Sequence, residues 1–172
     1  MAKTVWDLVK IVDDYSESVI KQVLKQITLP IPIEDIIKHY GINIEFVSMP
    51  EEQSGAIVIN QDTAGMIINK NDVYCRQRFT MAHEFGHFVS CRYQNITDKI
   101  TEYKDVLEYK RDENSKLGRD SEEIFANKFA AAILMPKSAL LELRSLSIEE
   151  LAVAANVSTQ AMQYRLDSLK IY

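Results

Sequence analysis

Apolar and polar positions alternate along this chain in two different periods, which divide it into a helical start, a short β region and a helical remainder. Over the first 27 residues apolar side chains recur every three or four positions, so the pattern predicts helix across 3–27. The prolines of 28–32 (TLPIP) interrupt that spacing, because proline ends a helix. A further helix is predicted at 33–40, and Gly41 suits its C-terminal end.

Three short runs rich in isoleucine and valine follow and predict the strands of a small sheet. They lie at 42–48, 55–60 and 65–70, and the segment 61–64 between the last two is typical of a hairpin turn. A connection this short joins antiparallel strands. We therefore expect an α+β fold with a small three-stranded, mainly antiparallel sheet packed on helices.

The next helix, predicted to begin near residue 74, carries the sequence FTMAHEFGHFVSC at 79–91. It is apolar on nearly all sides, as expected of a helix inside a core. His83 and His87 nevertheless lie one turn apart on one face, with Glu84 between them in an H-E-x-x-H pattern. Buried polar groups need partners, and a zinc ion bound by both imidazoles would supply one while Glu84 holds a water. The alternative is two core histidines satisfied by hydrogen bonds beside an unrelated glutamate.

Gly86, in the same helix, is expected to allow another element to approach closely.

The segment 92–120 is polar and mixed in charge, which predicts a solvated excursion with some helix in 98–108. A helix then begins at Asp120 or Ser121 and ends before Pro136. One face of this helix places an acid among small and apolar side chains, so that another helix can pack closely against it. The residues of that face are Glu123, Asn127, Ala130, Ala131 and Leu134.

A catalytic zinc site needs a third protein ligand and one position left open for water. Glu123 is our candidate, because its helix is expected to pack on the motif helix through the alanine face. Glu122, one position off that face, is the alternative ligand. Glu123 could instead close a capping box with Asp120 at the start of its own helix. Asn127, one turn further on, is a candidate to orient the Glu123 carboxylate.

The last part of the chain has the rhythm of a helix-turn-helix. One helix is predicted to end at the turn 156–158, and a second follows it. Polar residues on that second helix that could face DNA are Gln160, Gln163, Arg165 and Lys170. From Arg144 onward, however, three basic residues are balanced by three acidic ones, so direct DNA binding is not the expected main role. We divide the chain into a larger domain, 1–143, and these C-terminal helices, 144–172.

Charge and cysteine content narrow the class of protein further. A net charge of −5 and a pI near 5.3 argue against a general nucleic-acid binder. The N-terminal 15 residues lack the apolar core of a signal peptide, and no uncharged apolar run approaches the length that spans a membrane. Cys75 and Cys91 lie about 24 Å apart on one predicted helix, too far for a disulfide. We therefore expect a cytoplasmic protein with reduced thiols and no membrane association.

Two motifs together resemble one known family closely. The sequence RQRFTMAHEFGHFVS followed by EEIFANKFAAAILMP is similar to the paired motifs of the ImmA/IrrE family of zinc metallopeptidases. The likeness covers 33–137 approximately, and its mild departures are Phe85 and Phe125. It implies a zincin-like, gluzincin-type domain. In this sequence His83, His87 and Glu123 then take the places of the family's metal ligands, and Glu84 that of its catalytic glutamate.

The resemblance also implies a substrate. It points to a zinc-dependent endopeptidase that cleaves a helix-turn-helix repressor of a prophage, an integrative element or a stress response, and so releases transcription. We expect the substrate to add as a β-strand to a sheet edge, with 65–70 as the candidate edge. Candidates to stabilise the oxyanion are Tyr93, Tyr103, Tyr109 and Arg111.

Two other functions are compatible with the same residues. The first is a non-enzymatic DNA-binding or antitoxin-like regulator that keeps a structural metal site. It would bind DNA in a salt-dependent way, and it would keep its function in Glu84→Gln. The second is a general cytosolic peptidase, which would digest an unrelated protein as readily as a repressor.

Overall fold

The computed structural model describes residues 4–61, 63–96, 99–104 and 119–171, and it begins with three helices. The pattern predicted as helix across 3–27 forms α1 (Val5–Lys10) and α2 (Val12–Val23), which are separated at Ile11. After the proline-containing break, α3 runs from Ile33 to His39. Gly41 follows it with a φ of +76°, a left-handed conformation that only glycine adopts without strain, as the sequence predicts for a helix end.

The sheet contains four strands within the described residues, in the order β1-β3-β2-β4. The three predicted strands are β1 (Ile42–Val47), β2 (Gln53–Ile59) and β3 (Ala64–Asn69). The β2–β3 hairpin is antiparallel, as predicted, while β1 pairs with β3 in parallel. The α+β class and the small, mainly antiparallel sheet are therefore confirmed.

Two details of the predicted sheet are wrong. Helix was expected in part of 98–108, but Lys99–Lys104 forms β4, which pairs antiparallel with β2. The run 65–70 was expected at a sheet edge, but β3 lies inside the sheet, hydrogen-bonded to β1 on one side and β2 on the other. The reason is the same in both cases: a partner distant in sequence decides where each segment lies, and no local period encodes that partner.

The motif helix α4 (Tyr74–Gln94) lies at the centre of the molecule, between the sheet and α5 (Arg119–Leu134). Residues 80–91 of α4 are all buried, as the apolar sequence predicts. The axes of α4 and α5 come close at Gly86, where a Cβ atom would lie 2.9 Å from the Cα of Ala126. This confirms the expected close approach and brings the two motifs of the sequence against each other.

Three further helices follow, namely α6 (Lys137–Glu142), α7 (Ile148–Ala155) and α8 (Thr159–Leu169). The turn between α7 and α8 begins at Asn156, which adopts the left-handed conformation at a φ of 55°. Both helices bury apolar side chains in the same core as the rest of the chain: Leu151, Ala152, Ala155, Met162 and Leu166. The helix-turn-helix arrangement is thus present, and the domain boundary between 143 and 144 stays a prediction.

Two buried arginines connect these C-terminal helices to the rest of the molecule. Arg78 of α4 donates to the carbonyl oxygens of Ile31, at 2.9 Å, and Ala155, at 3.4 Å. Arg165 of α8 donates to the carbonyl oxygen of Met135 at 3.0 Å and to Oδ1 of Asp13 at 2.6 Å. Within the parts of the chain that the structure describes, none of these helices combines the length and the apolar character needed to span a bilayer.

Candidate metal centre

Three side chains from two helices meet at one point beside the core. His83 and His87 project from α4 and are each about 1% exposed, whereas Glu123 reaches them from α5 with 39% of its side chain exposed. The two histidine Nε2 atoms lie 3.1 Å apart. Glu123 Oε2 is 3.4 Å from Nε2 of His83, and Glu123 Oε1 is 3.2 Å from Nε2 of His87. The structure therefore brings together the three residues that the sequence singles out as ligands.

The distances fit a tetrahedral metal ion. With metal–ligand bonds of about 2.0–2.2 Å, the corners of a tetrahedron lie about 3.3 Å apart. The Nε2–Nε2 separation of 3.1 Å matches one edge of such a figure. The Glu123 oxygens lie 3.4 Å (Oε2) and 3.2 Å (Oε1) from the two imidazoles, and one ligand atom from each of the three residues lies within 4.8 Å of the others. Two buried imidazole nitrogens 3.1 Å apart can share only one proton, so a cation that accepts both lone pairs satisfies them better. The donor set thus suits a divalent metal, with the exposed side of Glu123 marking the side open to solvent.

Asn127 fixes the orientation of the first histidine. Its Oδ1 lies 3.0 Å from Nδ1 of His83, so Nδ1 carries the proton that is donated to the amide oxygen. The lone pair of His83 is then on Nε2, the atom that faces His87 and Glu123. This partner corrects the expectation that Asn127 orients the Glu123 carboxylate. A sequence signal exists, because a metal-binding histidine usually donates its second ring N–H to a polar group.

Electrostatics keep Glu123 in the form that binds a metal. Burial alone raises the pKa of this carboxyl group, but the polar contacts with the His83 and His87 rings outweigh burial and hold its pKa well below the usual value. The carboxylate faces the imidazoles. The capping box with Asp120 stays a prediction, because that side chain lies outside the described part of the structure. Glu122 is not among the residues whose ligand atoms converge here.

Glu84 is fully buried on α4, between the two histidines in sequence. A glutamate next to a histidine ligand in an H-E-x-x-H pattern is the residue type expected to transfer a proton in such a site. Its role as the catalytic base stays a prediction.

The residues considered for the oxyanion are not all near the centre. Tyr93 lies six residues beyond His87 on α4, about 9 Å along the helix axis. The backbone of Tyr103 belongs to β4, whereas Tyr109 and Arg111 lie outside the described residues. Neither Cys75 nor Cys91 forms a disulfide within the described residues, and Cys91 is part of the core, as expected.

Comparisons with known proteins agree with this geometry. Residues 37–167 match the family described as the IrrE N-terminal-like domain, Peptidase_M78. A solved structure of a Mycobacterium tuberculosis transcriptional regulator is similar in fold, with a TM-score of 0.56 and 18% sequence identity. The similarity covers 93% of this chain but 46% of that one, so the present chain spans about half the length of its structural neighbour. No curated protein matches the sequence at a significant level.

Proposed function

The chain belongs to the IrrE N-terminal-like family of metallopeptidases, and from this membership we propose that it is a zinc-dependent endopeptidase acting on a specific protein. The observation that carries the proposal is the convergence of His83 and His87, which share the buried helix α4 with Glu84, and Glu123 of α5 on one point. Two nitrogens and one carboxylate form the ligand set of known zinc peptidases, which keep a fourth position for water.

The side chains divide the chemistry between them. When bound, zinc supplies Lewis acidity that activates a water molecule and polarises the scissile carbonyl group. His83, His87 and Glu123 would hold the ion, and Asn127 keeps the proton of His83 on Nδ1. Glu84 accepts the proton of the attacking water and later delivers it to the leaving amine.

We further propose that the substrate is a helix-turn-helix repressor and that its cleavage releases transcription. The paired motifs of α4 and α5 support this choice, because they resemble those of the ImmA/IrrE family. That resemblance implies a repressor as the substrate. The solved structural neighbour is itself named a transcriptional regulator. We place the reaction in the cytoplasm, in keeping with two cysteines that form no disulfide.

The decisive experiment compares the wild-type chain with Glu84→Gln. Both proteins are loaded with zinc and incubated with the repressor encoded beside this gene, and the products are identified by mass spectrometry. We expect the variant to keep its zinc and its circular dichroism spectrum but to lose cleavage by at least about a hundredfold. Full activity of Glu84→Gln would remove the assigned base and, with it, the proposed mechanism.

Two rival functions give different results in the same assay. A general peptidase would degrade casein as fast as the repressor. A non-enzymatic DNA-binding or antitoxin-like regulator would cleave neither protein, would shift operator DNA in a salt-dependent manner, and would be unaffected by Glu84→Gln. The arrangement of α7 and α8 keeps this second alternative worth testing, although their charge is balanced.

A further inference from the structure

A cavity of about 540 Å³ lies between the N-terminal helices, α5 and α8. Its volume is within the range of sites that bind small molecules in proteins. The four residues assigned to metal binding and catalysis do not line it, so it is separate from the metal centre. It therefore needs an explanation of its own.

Apolar side chains form much of the wall of this cavity. Val9 and Val12 contribute from the N-terminal helices, Ala131 and Met135 from α5, and Ala161 from α8. Hydroxyl and amide groups of α8, such as that of Gln160, add hydrogen-bonding groups. A ligand that fills this space thus needs an apolar body together with at least one polar group.

The charged residues around the cavity determine which charge the polar group of the ligand should carry. Three cationic side chains line it, those of Lys10, Lys128 and Arg165, against one anionic side chain, that of Asp13. Arg165 already binds the Asp13 carboxylate at 2.6 Å, which leaves the two lysines. Lys10 lies 3.8 Å from Asp7, but it is 75% exposed, and such surface pairs are weak. In a chain of net charge −5, this lining is therefore locally positive and favours an anion.

Two residues of the cavity wall also contact a proposed metal ligand. Asn127 accepts the hydrogen bond from Nδ1 of His83 at 3.0 Å, and the ring of Phe79 lies 6.5 Å from the His83 ring between centroids. A ligand that displaces either side chain changes the orientation of the imidazole. If the ligand thereby changes the metal affinity by some factor, thermodynamic linkage requires metal binding to change the affinity for the ligand by the same factor.

We propose that this cavity binds a small molecule with an apolar body and an anionic group, and that its occupation changes the metal affinity of the neighbouring centre. The proposal gives the proposed peptidase a regulatory site, and it rests on that function only in taking His83 as a metal ligand. It names neither a substrate nor a product of the cleavage reaction.

The test uses a fluorescent probe with the required chemistry, 1-anilinonaphthalene-8-sulfonate, and its uncharged relative N-phenyl-1-naphthylamine. Binding of each to the full chain is measured by fluorescence titration, with and without zinc. We expect one saturable site that prefers the sulfonate. A stoichiometry of one separates this site from the general probe uptake of loosely packed states. We also expect the probe's dissociation constant to differ about fivefold or more between the zinc-bound and the zinc-free protein. The zinc affinity, measured against a chromophoric chelator, should change by the same factor when the probe is bound.

Two variants locate the binding site. Ala131→Phe fills the cavity and should abolish the saturable site, whereas Val153→Phe, which adds the same ring at an exposed position of α7, should not. Lys10→Gln with Lys128→Gln should weaken sulfonate binding about tenfold and leave the uncharged probe unaffected. The matched control is Lys21→Gln with Lys38→Gln, at two exposed lysines away from the cavity.

Three results would overturn the proposal. The first is probe binding that survives Ala131→Phe with unchanged affinity. The second is equal binding of the charged and the uncharged probe. The third is a zinc affinity that stays within twofold of its value without the probe when the probe is bound. If Ala131→Phe blocks association with the repressor but leaves probe binding intact, the cavity docks protein and the proposal also fails. No measurement on the probe involves cleavage, so a chain that hydrolyses nothing can still pass or fail this test.

Discussion

The residues of the metal centre differ in how far the sequence determines their roles. Spacing alone places His83 and His87 on one face of one helix, and the structure has them there, with Nε2 atoms 3.1 Å apart. The contact between Asn127 and His83 depends on how two helices cross, which no local pattern encodes. The sequence therefore indicated that Asn127 belongs near the centre but not which side chain it would bind.

That contact leads to a prediction about Asn127. Replacing it by Leu removes the acceptor for Nδ1–H of His83, so the imidazole loses its fixed tautomer and orientation. We expect zinc affinity to fall about 10- to 100-fold, as measured by competition with a chelator of known affinity. Asn43→Leu, at an exposed position of β1, is the control. Equal zinc affinity in the two variants would show that Asn127 has no part in the centre.

A second prediction separates the two neighbouring acids of α5. Glu123→Ala should lower the zinc content of the purified protein several-fold, because it removes one of three protein ligands. Glu122→Ala should keep zinc at the wild-type level. Metal analysis of both proteins after dialysis decides between them. A loss of zinc on changing Glu122 but not Glu123 would reverse the assignment.

At the scale of elements, hydrophobic period and turn residues predicted most helices and the first three strands within a few residues, but neither α6 nor the break between α1 and α2. What they could not predict was pairing. The segment 99–104 is polar and mixed in charge, and it is a strand because β2 offers it a partner. β3 lies inside the sheet because β1 pairs with it in parallel. Both facts depend on contacts between segments distant in sequence, so they cannot be predicted from the periodicity of each segment alone.

The packing of α4 on α5 yields the next prediction. In Gly86→Ala the new Cβ would lie 2.9 Å from the Cα of Ala126, and since the obstacle is backbone, the helices must separate. Overpacking costs about 1–3 kcal/mol, which opposes a gain of about 1 kcal/mol from the better helix former. Separation also carries Glu123 away from the histidines. We therefore expect a lower melting temperature together with weaker zinc binding.

Gly65→Ala is the matched control for that experiment. A Cβ at Gly65 meets no atom within 4 Å, so the same substitution should change neither the melting temperature by more than a few degrees nor zinc binding. If Gly86→Ala binds zinc as tightly as Gly65→Ala, the close approach of the two helices does not set the ligand geometry.

For the whole molecule, the question is whether the C-terminal helices form a separate unit. The sequence suggested a boundary after residue 143, on the strength of the helix-turn-helix rhythm. In the structure, α7 and α8 share the core of the larger part, and Arg165 joins α8 to both Met135 and Asp13. A chain cut after Leu143 would expose that core and leave Arg78 without its acceptor at Ala155.

We therefore expect the fragment 1–143 to be much less stable than the full chain. Burial of Leu151, Met162 and Leu166 contributes about 1.5–3 kcal/mol each, and their loss together is comparable to the stability of a typical domain. Urea unfolding followed by circular dichroism measures the difference. Arg165→Met in the full chain distinguishes the two causes. It keeps the apolar contacts of α8 but removes the hydrogen bond to Met135 and the partly buried ion pair with Asp13, and should cost about 1–3 kcal/mol. A fragment that unfolds with the midpoint of the full chain would instead establish 1–143 as an independent domain, and α7 and α8 would then be free to serve a partner rather than the fold.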